Sequence, residues 1–161
     1  MNAKPNATAA AGTIEDTVVA EIFIAAPPER VLQALIQQEQ LMQWFTDPSC
    51  PLKSFEMDAR EGGRWRFATH PGTKPVNGVL EFRAAGKILE LKPRSLVYTW
   101  HANWHDDPSL ATLVRWELIP EGKGTRVKVT HSGLATEDLA RQDYIGGWPG
   151  VLQAIKNFVE K

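Results

Sequence analysis

The residues with the most obvious chemistry are two histidines four apart in His101-Ala102-Asn103-Trp104-His105-Asp106-Asp107, a lone Cys50, and His131. Two imidazoles followed by two carboxylates match the nitrogen and oxygen donors that zinc accepts. Spacing of four brings side chains to one face only on a helix. Here it falls at a strand end running into a loop, and Asp107-Pro108 is ordinary turn chemistry. No third well-placed donor follows, so no metal and no cofactor is assigned. Cys50, between Ser49 and Pro51, has no local base or positive charge to activate its thiol. No glycine-rich phosphate loop, Ser/His/Asp motif or paired-carboxylate signature is present, and no catalytic residue is assigned.

His131 is different in kind. It ends the run Val127-Lys128-Val129-Thr130-His131, in which Val127, Val129 and His131 point to one side of a strand and Lys128 and Thr130 to the other. The apolar side must be buried, so the imidazole is carried onto a dry face. A histidine in that position more often holds structure by hydrogen bonding than it ligates or transfers protons. Should that face border a cavity, it is the best polar anchor the sequence offers.

The elements that position these residues follow from periodicity. Val18, Ala20, Ile22 and Ile24 mark a first strand, ended by Ala26-Pro27-Pro28. Val31, Leu32, Leu35 and Ile36 give a short amphipathic helix, and Glu39 to Phe45 a second, broken by Asp47-Pro48. Strands are predicted over Leu52 to Asp58, Gly63 to Thr69, Val79 to Leu91 with a bulge at Gly86, Leu96 to Ala102, Ala111 to Ile119 and Thr125 to His131. The loop from Asn103 to Leu110 is long enough for mobility. At the C-terminus, Glu137 to Tyr144 reads as a short helix capped by Thr136. A second helix then starts at Pro149 after the loosening Gly146-Gly147. Trp148, Val151, Leu152, Ile155, Phe158 and Val159 form its apolar stripe, which is buried most economically against the sheet.

Composition bounds the partners. The chain has 161 residues, a size for one domain that buries roughly 68–70% of its unfolded surface. A net charge of −1 with no Lys/Arg cluster excludes a nucleic-acid surface. No run approaches the ~20 apolar residues of a membrane span. One cysteine permits no internal disulfide, consistent with the cytoplasm. Residues 1–16 show no periodic apolar face and read as a disordered leader, leaving 17–161 as the folded domain.

Six tryptophans are many for this length. Trp65 and Phe67 share a strand face, as do Tyr98 and Trp100, and Trp116 lies with Val114 and Leu118. With Trp44, Trp148 and Leu152 they would line a space under the helix, an apolar wall with a few N–H and O–H groups that suits a small-molecule pocket. The alternative is a filled core.

The ordered set Ala26-Pro27-Pro28-x-x-Val31, Trp44-Phe45, Gly62-Gly63, Leu96-Val97-Tyr98-Thr99-Trp100, Gly124-Thr125, Thr130-His131-Ser132-Gly133-Leu134 and Gly147-Trp148 resembles the bacterial homologues of the activator of heat-shock protein 90 ATPase. These belong to the START-like (SRPBCC, helix-grip) superfamily. The resemblance covers Thr17 to Lys161. It implies an α+β fold, with a seven-stranded antiparallel sheet wrapped around a long C-terminal helix and two short helices after the first strand. The family's helix runs through the Gly-Trp pair, whereas Gly146-Gly147-Trp148-Pro149-Gly150 should start or kink it here. The length also leaves no room for the eukaryotic activators' separate N-terminal domain.

Three functions stay open. The first is binding of a small apolar or lipid-like ligand, with Trp44, Trp65, Phe67, Tyr98, Trp100, Trp116, Trp148 and Leu152 as walls and His131 orienting a polar group. The second is an aromatase/cyclase-like reaction in the same cavity, using His131 or Tyr98. The third is a co-chaperone binding heat-shock protein 90 through its outer surface, with a role in stress response.

Overall fold

The computed structural model describes residues 7–11 and 16–161, residues 8–11 by backbone alone. The elements are β1 (Ala7–Ala11), β2 (Val18–Ile24), α1 (Pro28–Ile36), α2 (Gln38–Trp44), β3 (Leu52–Met57), β4 (Arg64–Thr69), β5 (Arg83–Lys92), β6 (Ser95–Ala102), β7 (Thr112–Glu121), β8 (Gly124–Ser132) and α3 (Asp138–Val159). The strands form one antiparallel sheet in the order β1-β2-β8-β7-β6-β5-β4-β3. It curls around α3 in the helix-grip arrangement, with all seven expected strands present. Among the described residues no helix is long and apolar enough to cross a membrane.

The eighth strand corrects one expectation. Ala7–Ala11, inside the supposed leader, pairs with β2 from Ala7 opposite Ile22 to Ala11 opposite Val18. An edge strand needs only backbone donors and acceptors to extend a ladder, so an alanine-rich run joins without an apolar pattern of its own. The remainder of residues 1–15 lies outside the described residues.

Three further expectations shift. β5 begins at Arg83 rather than Val79, because Asn77 and Gly78 (φ 51° and 77°) turn the chain back and Val76 bridges Val79. The bulge falls between Ile88 and Glu90, not at Gly86. Gly86 serves a close approach instead. The Trp65 indole crosses it to donate to the Thr99 carbonyl at 3.1 Å, and a Cβ on residue 86 would lie 1.7 Å from that oxygen. Third, the loop after β6 is pinned. The buried Glu137 carboxylate accepts from the Asp106 and Asp107 amides at 2.6 and 2.9 Å, and Asn77 donates to Asp106 and to the Trp104 carbonyl.

The largest correction is α3. It is one helix of 22 residues that runs through Gly146, Gly147, Trp148 and Pro149, and its N-cap position is Glu137, with no side-chain cap from Thr136. Interior glycine costs about 1 kcal/mol relative to alanine and proline about 3. Burial of Ala140, Tyr144, Trp148, Leu152, Ile155 and Val159 against the sheet outweighs that local cost.

A chain of hydrogen bonds fixes α3 in place. Trp148 Nε1 donates to His131 Nδ1 at 3.2 Å, and His131 Nε2 lies 2.8 Å from Thr112 Oγ1. Thr112 uses its own proton on the Trp100 carbonyl at 2.8 Å, so His131 must be the donor to it. The partners therefore assign a neutral imidazole, protonated on Nε2. Beside it the Tyr144 hydroxyl accepts from Trp100 Nε1 at 2.9 Å and meets His105 Nε2 at 2.7 Å. The hydroxyl has one proton and a second lone pair, so either tautomer of His105 fits that contact, and among the described residues His105 Nδ1 is buried with no partner. Burial pushes both imidazoles below the ordinary histidine range, and each ring's proximity to another histidine adds to that. For His105 the charges of Glu137 and Asp106 act in the opposite direction.

Two outcomes are expected. Gly86→Ala should lower stability by about 2–3 kcal/mol in urea unfolding, because the obstacle is backbone and cannot swing aside. The histidines should also make stability depend on pH. Their folded pKa values lie below the unfolded ones, so the unfolded chain takes up protons first as pH falls. Their full contribution is present above about pH 6.5 and is lost on acidification. Each ring steepens the decline by up to about 1.4 kcal/mol per pH unit. Below about pH 6.5 stability should therefore fall as the pH falls, and His131→Gln should remove the larger part of that slope, because His131 is the more strongly lowered of the two. A flat profile would show that these rings are not held neutral.

Candidate functional site

A cleft of about 370 Å³ opens between α3 and the α2–β3 end of the sheet. Its walls come from α2, β3, β4, α3 and three of the connecting segments. The end of α2 supplies Trp44 with the adjoining Phe45, and the following turn adds Thr46, Asp47, Ser49 and Cys50. The sheet contributes Leu52, Phe67 and Thr69, while Lys74, Val76, Phe82 and Trp104 close the far side. Along α3 the lining residues are Asp143, Gly146, Gly147, Gly150, Val151 and Ala154. That spacing is helical, so they form one face, turned from the face that carries Tyr144, Trp148 and Leu152.

Of the nine expected site residues, only Trp44 and Phe67 line this cleft. Trp65, Tyr98, Trp100, Trp116, His131, Trp148 and Leu152 do face the inside of the sheet, but they fill it. Ring centroids lie 4.9 Å apart between Trp65 and both Tyr98 and Trp100, and 5.6 Å between Trp100 and Trp148. Their polar atoms are spent on one another: Trp116 Nε1 donates to the Tyr98 hydroxyl at 2.8 Å, as Trp148 does to His131. Trp44 Nε1 binds the Ala34 carbonyl at 2.7 Å from behind the cleft. The wall moves, in effect, from the middle of the sheet to its edge.

This arrangement bears on the chemistry expected of His131 and Tyr98. Both nitrogens of His131 are engaged, and burial raises the Tyr98 phenol far above neutral pH. Neither group is poised to exchange a proton with a substrate. The His101/His105 stretch does not become a metal centre either. Among the described residues no three His, Cys, Asp or Glu side chains converge as ligands, and His105 faces Tyr144. Cys50 is set into the cleft wall, where burial chiefly, then the charges of Asp47 and Asp143, hold its thiol above the ordinary range and so protonated.

Sequence reasoning missed Phe45 and Trp104 as walls, along with Asp143 and the α3 glycines. The glycines were visible, but as a helix break. Glu137 gave no signal, since an acid at a helix start is ordinary.

The fold has close relatives among solved structures. Protein CV1439 from Chromobacterium violaceum aligns with a TM-score of 0.75 at 23% identity, over 91% of this chain and 99% of that one. An AHSA1-like protein from Aeromonas hydrophila aligns at 0.67 and 22% identity, over 89% and 92%. CalU16 from Micromonospora echinospora gives 0.62 and 22%, over 95% and 83%. At these identities the likeness is one of fold. No curated protein matches the chain in sequence. Residues 25–160, from the start of α1 to the end of α3, match the family described as Activator of Hsp90 ATPase homolog 1-like protein. Sheet, gripped helix and sequence match agree, and the chain belongs to that family, within the START-like superfamily.

Proposed function

We propose that this protein binds a small, largely apolar ligand in the cleft beside α3. The observation that carries the reading is the glycine face of that helix. Gly146, Gly147 and Gly150 each cost the helix stability. Packing does not require them, since a Cβ built on any of the three meets nothing within 4 Å. What the missing side chains do provide is room, in front of a wall of Trp44, Phe45, Phe67, Phe82 and Trp104. A volume of about 370 Å³ sits at the small end of ligand sites, and an aromatic lining with a few polar groups is their usual make-up.

The ligand site thus lies one helix face away from the position expected from sequence. Trp44 and Phe67 keep the role first assigned to them. The buried aromatics and His131 act behind the wall by holding α3 at its distance from the sheet edge.

Stability and binding should part company at the glycines. Gly146→Ala and Gly147→Ala should each raise unfolding free energy by about 0.5–1 kcal/mol, because alanine is the better helix former and its methyl fits. Gly147→Leu should fold yet occupy the cleft. In a chemical-shift titration with flat apolar compounds, wild type should show shifts at Phe82, Trp104 and Gly150, and Gly147→Leu should show at least tenfold weaker binding. Equal binding by the two proteins would remove the cleft as the site. The surface co-chaperone reading, tested by pull-down of heat-shock protein 90, would then lead.

A further inference from the structure

The cleft has a charged end, and its sign is legible. Three ionisable residues other than Cys50 line it: Asp47, Asp143 and Lys74. Both carboxylates act on the Cys50 thiol, which places them at the same corner, where the turn after α2 faces α3. Asp47 is partly committed, since its Oδ1 accepts from the Ser49 amide and hydroxyl, each at 2.8 Å. Asp143 forms no hydrogen bond or ion pair among the described residues, although it projects from the second turn of the helix that floors the cleft. Lys74 is exposed on a loop, with a long stem that lets its ammonium remain in water.

Accepting the cleft as a ligand site, we propose that its ligand is a hydrophobic cation, an apolar body bearing an amine or ammonium group that pairs with the Asp143 carboxylate. Two independent features converge on this. One is the uncompensated carboxylate. Asp143 is exposed to solvent at the cleft, and its partial burial by the neighbouring walls still raises its pKa above the ordinary carboxylate range. A cation from outside relieves that penalty, because opposite charge favours the ionised form. The other is the ring set. Trp44, Phe45, Phe67, Phe82 and Trp104 present π systems whose negative faces attract a cation and whose area takes up its apolar body. An anionic ligand would meet two carboxylates at that corner, with only the exposed Lys74 among the lining residues to offset them.

The test uses three probes of one shape and different charge: naphthalen-2-ylmethylammonium, naphthalen-2-ylmethanol and 2-naphthoate. Each is titrated at pH 7 into wild type, Asp143→Asn and Asp143→Glu, with affinity read by calorimetry and location by chemical-shift changes. Thermal midpoints confirm that the variants fold. The ammonium should bind wild type at least tenfold more tightly than the alcohol, and 2-naphthoate most weakly. Asp143→Asn should remove most of the ammonium's advantage over the alcohol, and Asp143→Glu should retain part of it. An alcohol that binds as well as the ammonium would overturn the charge assignment and leave the cleft standing. So would an unaltered preference in Asp143→Asn, or a preference for 2-naphthoate, which would point to Lys74. Failure of all three probes to bind wild type would overturn the cleft reading and this inference together.

Discussion

The indole of Trp148 donating to the imidazole of His131 joins α3 to the strand at the middle of the sheet, and much else depends on that join. A helix carrying three glycines and an internal proline has poor intrinsic stability. It persists because its opposite face is held by burial of large side chains and by hydrogen bonds that fix its rotation. With Trp148 seated on His131 and Tyr144 on Trp100 and His105, the register of the helix is set. Gly146, Gly147 and Gly150 must then face the sheet edge. The packed face and the open face are two consequences of one placement.

That placement relies on polar atoms in a dry core, where an unpaired group costs about 1–3 kcal/mol. Five of the six indole N–H groups find protein acceptors: Trp44 at Ala34, Trp65 at Thr99, Trp100 at Tyr144, Trp116 at Tyr98 and Trp148 at His131. The exceptions lie together. Among the described residues, Trp104 Nε1 and His105 Nδ1 are buried without hydrogen-bond partners, both beside Tyr144. The loop that carries them is nonetheless fixed, because Glu137 grips its backbone from the start of α3. The same helix therefore positions the floor of the cleft and, through Glu137, its far wall.

How legible this was depends on what each feature leaves in a local pattern. Strand alternation located β2 and β8 because each has one buried face, and it carried His131 to that face correctly. The rings of Trp100 and Trp116 meet Trp148 of α3 across the interior. What alternation cannot say is whether facing rings leave a gap or fill it. Here Trp65, Tyr98, Trp100, Trp116 and Trp148 interdigitate, and the space lies beyond them. The Gly-Gly-Trp-Pro-Gly stretch misled for a related reason. Propensity is local, and it argued for a break, while the stabilising burial of Tyr144, Trp148 and Leu152 comes from strands far away in sequence. β1 was invisible because edge pairing draws on backbone alone.

The separation of faces on α3 also lets the cleft vary independently of the core. Substitutions at 143, 146, 147 and 150 reshape or recharge the cleft without touching Tyr144, Trp148 or Leu152, so the cleft can change while the core stays intact. The cost of each change at the glycines is bounded, since a side chain at 146, 147 or 150 meets open space rather than packed neighbours. Core positions lack that freedom: altering Trp148 strands the His131 nitrogen that accepts from it. Structures that share this fold at 18–24% identity are what such a division allows. Function in this chain is therefore argued from the cleft residues themselves, and the fold supplies only the frame that holds them.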